Sequence, residues 1–153
     1  MSVPVAIALH LIAAVIWVGG MFFAYMALRP VAAQLLEPPL RLPLWSQTFA
    51  RFFVWVWVSI IVLPLSGYWI IMQIWGGFEG TDLSIKLMHI IGWIMILIFL
   101  FLFFVPYRQL KQRIAAEDFK AAGNALALIR KIVAVNLTLG LIVVIIAGGG
   151  RYL

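Results

Sequence analysis

The chain contains only two histidines, His10 and His89, and both fall inside long uncharged runs. An ionisable side chain at membrane depth is costly to keep there and marks a functional site by default. A neutral imidazole is a ligand for copper, nickel, zinc or iron through either ring nitrogen. His10 lies roughly 10 Å along a helix beginning at Val3, at 1.5 Å per residue, and His89 lies roughly 9 Å in from Leu83. The two rings therefore share one depth if their helices enter from the same side. Lys86 precedes His89 by three positions, the spacing that puts both on one helix face, and its long stem can snorkel to an interface. Gly67 falls at a matching depth in the run between them, where a missing side chain lets a flat ligand or a helix approach closely. Ser59 and Ser66 offer hydroxyls on one face of that run, and Pro64 is expected to kink it and free the carbonyl of Ile60. Ala13, Ala14, Trp17, Gly20 and Met21 continue the stripe begun by His10, and Trp93 follows His89 at helical spacing.

Each of these residues has a plainer alternative. A histidine in a span can hydrogen-bond across helices, Gly19 and Gly20 can be packing contacts, and Asn136 can hold helices together. Lys86 can be an interfacial snorkeller, while Trp45, Trp75 and Tyr152 read as interfacial anchors. Met21, Met26, Met72, Met88 and Met95 sit at scattered depths, which favours gap-filling or lipid-facing roles over a methionine copper relay. There is no Ser–His–Asp set, no pair of catalytic carboxylates, no phosphate loop and no zinc motif. The absence of cysteine excludes disulfides, thiolate metal sites and iron–sulfur clusters.

The elements that must position these side chains follow from composition. Of 153 residues, 66% are hydrophobic and 10% charged, with a mean hydropathy of +1.15. Soluble domains carry about 25% charged residues, so a water-soluble globule is ruled out, as are disorder and a coiled coil. A nucleic-acid partner is not expected despite the net charge of +6. Spans over 3–28, 52–76, 84–107 and 132–150, uncharged apart from Lys86 near the start of the third, reach the roughly 20 apolar residues that cross a bilayer as a helix. No period-2 alternation suggests a barrel. The expected fold is an all-α integral membrane four-helix bundle, a single transmembrane domain over 1–153.

Nine of the eleven basic residues fall in the first and third connections: Arg29, Arg41, Arg51, Arg108, Lys111, Arg113, Lys120, Arg130 and Lys131. Lys86 and Arg151 lie on the other side, with Glu79 and Asp82. The positive-inside rule puts those basic loops in the cytoplasm and both termini outside, in a bacterial inner (plasma) membrane. The first run has no basic leader and no small-residue cleavage site, so it reads as a retained helix. Pro30, Pro38, Pro39 and Pro43 predict an extended or turning first connection. The third connection predicts helix from Tyr107 to Arg113 and from about Ala116 to Lys131, with acidic residues first and basic residues last.

Two level imidazoles on helices 1 and 3 can hold one metal in a bundle core. A bare ion wants further ligands, yet no carboxylate or thiol is near, and Met21 lies three turns from His10. Haem needs only one or two axial ligands and favours aromatic walls. The residues therefore point to a haem b or porphyrin redox protein, with His10 as axial ligand and His89 as second ligand or distal polar group. Gly67 and Trp17 would line the cofactor. Lys86, with Arg151, would meet a propionate, or Lys86 would handle protons as the catalytic group. Membrane lipid, a quinone or respiratory electron partner and a second copy of the chain are the expected partners. Copper passage using His10, Met21 and other soft ligands is the alternative, and a cofactor-free assembly scaffold is the third reading.

The segment from Leu9 to Phe23, LHLIAAVIWVGGMFF, resembles the first span of CopD-like membrane proteins. Phe104-Val105-Pro106-Tyr107-Arg108 and Ile129-Arg130-Lys131, with Asn136 and Gly140, are similar to small stand-alone members of that group. The resemblance implies copper uptake or resistance. The same first span, with Trp17 seven residues after His10, is also similar to the HemJ type of protoporphyrinogen oxidase. That likeness implies haem b bound through His10 and a functional lysine at Lys86, within Leu83-Ser84-Ile85-Lys86-Leu87. It also implies oxidation of protoporphyrinogen IX to protoporphyrin IX.

Overall fold

The computed structural model describes residues 1–152, apart from the side chain of Arg151, so the propionate role expected of Arg151 lies outside the described residues. Four helical spans are long and apolar enough to cross a membrane: Val3–Leu35, Pro38–Trp75, Leu83–Ala115 and Phe119–Gly149. The first consists of α1 (Val3–Phe23), a π-helical turn (Ala24–Leu28) and α2 (Arg29–Leu35). The second is α3 (Pro38–Trp75); the third is α4 (Leu83–Phe104) followed by α5 (Pro106–Ala115); the fourth is α6 (Phe119–Gly149). Short 3-10 turns occupy Phe78–Gly80 and Gly150–Tyr152. The protein is a multi-pass, all-α membrane bundle, as expected.

The helices run well past the uncharged segments. An apolar run reports hydrocarbon thickness, whereas a helix continues into water wherever its residues permit. The proline-rich first connection is a correction. It is not an extended segment, because only Leu36 and Glu37 separate α2 from α3. Pro38 stands in the first turn of α3, where a missing N–H would be unpaired in any case, whereas Pro30 lies within the continuous helix of the first span. The π turn just before Pro30 widens the helix where proline removes a hydrogen bond and crowds the preceding turn. Pro43 and Pro64 lie inside α3 without interrupting it. Gly76 ends α3 at φ 70, a left-handed cap that glycine adopts without strain.

α1 lies along α3, and α4 lies along α6, onto which α5 also folds. The outward faces are apolar: Val15 is 70% exposed and Ile145 71%, as a lipid-facing surface requires. Aromatic rings fill the interior toward the end where α3 begins. Phe53 stacks on Phe49 at 5.1 Å and meets the edges of Phe99 and Tyr107 at 5.4 and 4.9 Å. Trp57 packs edge-on against Phe99 and Phe103. Such ring pairs add about 0.5–1.5 kcal/mol each beyond area burial. Trp45 is a second correction. It is buried and packs on Phe49 at 5.3 Å, so it is a core residue and not an interfacial anchor.

Close approach at the bundle centre depends on small residues. A β-carbon on Gly140 would lie 2.9 Å from Val18 and 3.2 Å from Met95, so this glycine seats α6 against both α1 and α4. The ring of Phe52 occupies the place a side chain on Gly20 would need, whereas Gly19 faces open space. Of the methionines, Met21 and Met95 are core residues, and Met26 and Met72 are exposed on the apolar surface.

Candidate functional site

Two ends of the bundle differ in chemistry. At the terminal end, α1 and α4 begin and α3 and α6 finish; Gly150 there packs against Ser84. At the basic end lie the α2–α3 and α5–α6 connections.

Both histidines are at the terminal end, and both lean on α3. His10 Nδ1 is 2.8 Å from Ser66 Oγ. The Ser66 hydroxyl donates to the carbonyl of Val62 at 2.6 Å, one turn back. A hydroxyl has a single proton, so with that proton on Val62 the oxygen accepts from His10 Nδ1–H. The network thereby favours the Nδ1–H tautomer, with the lone pair on Nε2, as an outer hydrogen bond does for a metal-ligating imidazole. Gly67 completes the seat. A β-carbon there would lie 3.3 Å from His10 Cε1, so the imidazole rests close against bare backbone. Ser59, buried one stretch below, donates to the carbonyl of Trp55.

His89 sits in a different setting. Its Nε2 is 3.3 Å from the Tyr68 hydroxyl. The rings of Tyr68, Phe78 and Trp93 surround the imidazole at centroid distances of 5.2, 4.7 and 6.3 Å. Ser66 and Tyr68 are two residues apart, about 3 Å along α3, but rotated by roughly 200°. The two imidazoles thus meet α3 at one level on different faces, His10 from α1 and His89 from α4. Lys86 is exposed in the first turn of α4. Among the described residues, no three His, Cys, Asp or Glu side chains converge as a metal-holding group.

Below His10, the inward stripe of α1 continues through Ala13, Trp17 and Met21, all buried. Trp17 meets the edge of Phe99 at 6.3 Å. Trp17, Met21 and Asn136 line a cavity of about 20 Å³, room for about one water. Asn136 Nδ2 donates to the carbonyl of Met95 at 3.3 Å, the cross-helix role expected of it. Asn136 Oδ1 is buried and has no hydrogen-bond partner among the described residues.

Sequence reasoning placed Ser66 and Gly67 near the right depth without assigning the first as His10's partner. It missed Tyr68 and Phe78 around His89. The useful signal was a serine and a glycine in succession, level with a histidine on another helix.

These features define a four-span membrane protein in which His10 of α1 and His89 of α4 both meet α3, and Asn136 of α6 shares a cavity with the inner stripe of α1. The family model for CopD, described as Copper resistance protein D, matches residues 46–149, about two-thirds of the chain. The chain belongs to the CopD family. The match covers most of α3 and continues through α6, including Ser66, Gly67, Lys86, His89, Asn136 and Gly140, while His10, Trp17 and Met21 precede it. Neither the curated proteins nor the solved structures provide a match to this chain.

Proposed function

We propose that this protein handles copper ions within the bacterial inner membrane, with His10 as the ligand through which the ion engages the bundle. The observation that carries this reading is the Ser66–His10 pair, which supports the Nδ1–H tautomer with its lone pair on Nε2. Imidazole and thioether groups suit copper, and thioethers suit its reduced form in particular. The imidazole of His10, the indole of Trp17 and the thioether of Met21 follow one another down a single face of α1. Asn136, whose amide oxygen is buried without a partner among the described residues, lines one small cavity with the last two. Met21 is eleven residues from His10, about 16 Å along the helix, so the two are successive stations and not ligands of one ion. Copper here is cargo.

Family membership and this donor ladder favour copper over the haem b or HemJ-like reading. His10 and His89 are engaged by separate hydroxyls on different faces of α3. Lys86 then serves as a snorkelling residue at the terminal end and not as a catalytic group.

The test is a titration of the purified protein with Cu(I) under reducing conditions, in competition with a chromophoric chelator. Wild type should withdraw copper from the chelator, and His10→Ala should lose that capacity while keeping its helical content. Equal copper retention by His10→Ala would overturn the assignment. A Soret band in the freshly purified protein, lost in His10→Ala, would return the site to haem.

A further inference from the structure

A second cavity, of about 370 Å³, opens at the basic end between the first span, the start of α3 and the start of α6. Its volume is in the range of small-molecule sites. Four cations line it: Arg29 and Arg41 on one wall, Lys120 and Arg130 on the other. Among the described residues the only ion pair is Arg113–Asp118, so none of these four is neutralised by a carboxylate. No aspartate or glutamate lines the cavity at all, while Phe49 and Val133 on its inner side are apolar.

The wall on the first span is held in place. Arg29 Nε donates to the carbonyl of Tyr25 at 3.2 Å, and its guanidinium lies 4.3 Å over the Tyr25 ring. Tyr25 lies within the π turn of Ala24–Leu28 and Arg29 follows directly after it. π turns recur at functional sites. A guanidinium anchored through Nε still presents its terminal nitrogens to an oxyanion.

We propose that this cavity binds the phosphate group of an anionic phospholipid, with the acyl chains following the apolar side toward Phe49 and Val133. In the orientation that the positive-inside rule assigns, the cavity opens at the cytoplasmic leaflet, where such lipids carry the negative surface charge. Basic pockets between spans on that side suit acidic headgroups. The site lies at the other end of the bundle from His10, and the proposal does not depend on copper.

The test compares the full-length protein in nanodiscs of phosphatidylcholine with and without phosphatidylglycerol, reading thermal unfolding and the lipid retained after delipidation. Wild type should melt higher with phosphatidylglycerol and retain it selectively. The Arg29→Gln, Arg130→Gln double variant should match wild type in pure phosphatidylcholine, which establishes that it folds. Its phosphatidylglycerol retention should be roughly thirtyfold weaker, at about fivefold per cation. Arg113→Gln, outside the cavity, should behave as wild type. Absence of a phosphatidylglycerol preference in wild type, or its survival in the double variant, would overturn the proposal. Protection by inorganic phosphate equal to that of the lipid would overturn the lipid assignment.

Discussion

The terminal and basic ends of this bundle are built on opposite plans. At the terminal end, the two imidazoles at membrane depth are each tied to a specific partner: His10 to Ser66, His89 to Tyr68. At the basic end charges are many, and the four that line a cavity above a dense aromatic core have no carboxylate partner among the described residues. The difference follows from solvent. In hydrocarbon a polar group must find a partner inside the protein, whereas near the headgroups water and lipid phosphate can satisfy it. The terminal end is therefore geometrically defined, and the basic end electrostatically.

Substitutions separate these plans, beginning with the core that underlies the basic end. Phe53→Ala removes a ring in contact with Phe49, Phe99, Phe103 and Tyr107. It should cost about 3–5 kcal/mol, read as a large drop in thermal stability in detergent. Ser66→Ala should leave the fold intact but release His10 Nδ1, weakening copper affinity by about 10–100-fold; the chelator competition measures it. Tyr68→Phe, the matching change at His89, should leave copper affinity unchanged, so equal losses in both variants would erase the distinction between the two histidines.

Gly67→Ala would put a methyl group 3.3 Å from His10 Cε1. It should weaken copper binding less than Ser66→Ala, because the ring need shift only by a few tenths of an ångström. The smallest effect belongs to Arg113→Gln. Its pair with Asp118 spans 3.9 Å between side chains 56% and 46% exposed, and such surface pairs contribute about 0–1 kcal/mol. Unchanged melting is the expected result.

Much of the architecture was legible in the sequence. Uncharged runs, charge counts and the lack of cysteine identify four spans and a basic end, since hydrocarbon admits so few alternatives. The prolines misled, because they look like breakers in a chain, yet Pro38 starts a helix and Pro30 is accommodated inside one by the π turn before it. Trp45 misled because an aromatic near a span end can face either headgroups or core, and its contact with Phe49 decides which.

The site divides in the same way. The depth of His10, His89 and Gly67 depends only on rise per residue, so the sequence by itself determined that the two histidines are level. Rotation about the helix axis and the choice of neighbouring helix depend on packing, on contacts such as Gly140 with Val18 and Met95. Only the tertiary structure decided that His10 meets Ser66, that His89 meets Tyr68, and that four distant cations share one cavity. Length along a helix is a local property, while the direction a side chain faces is fixed by the whole bundle.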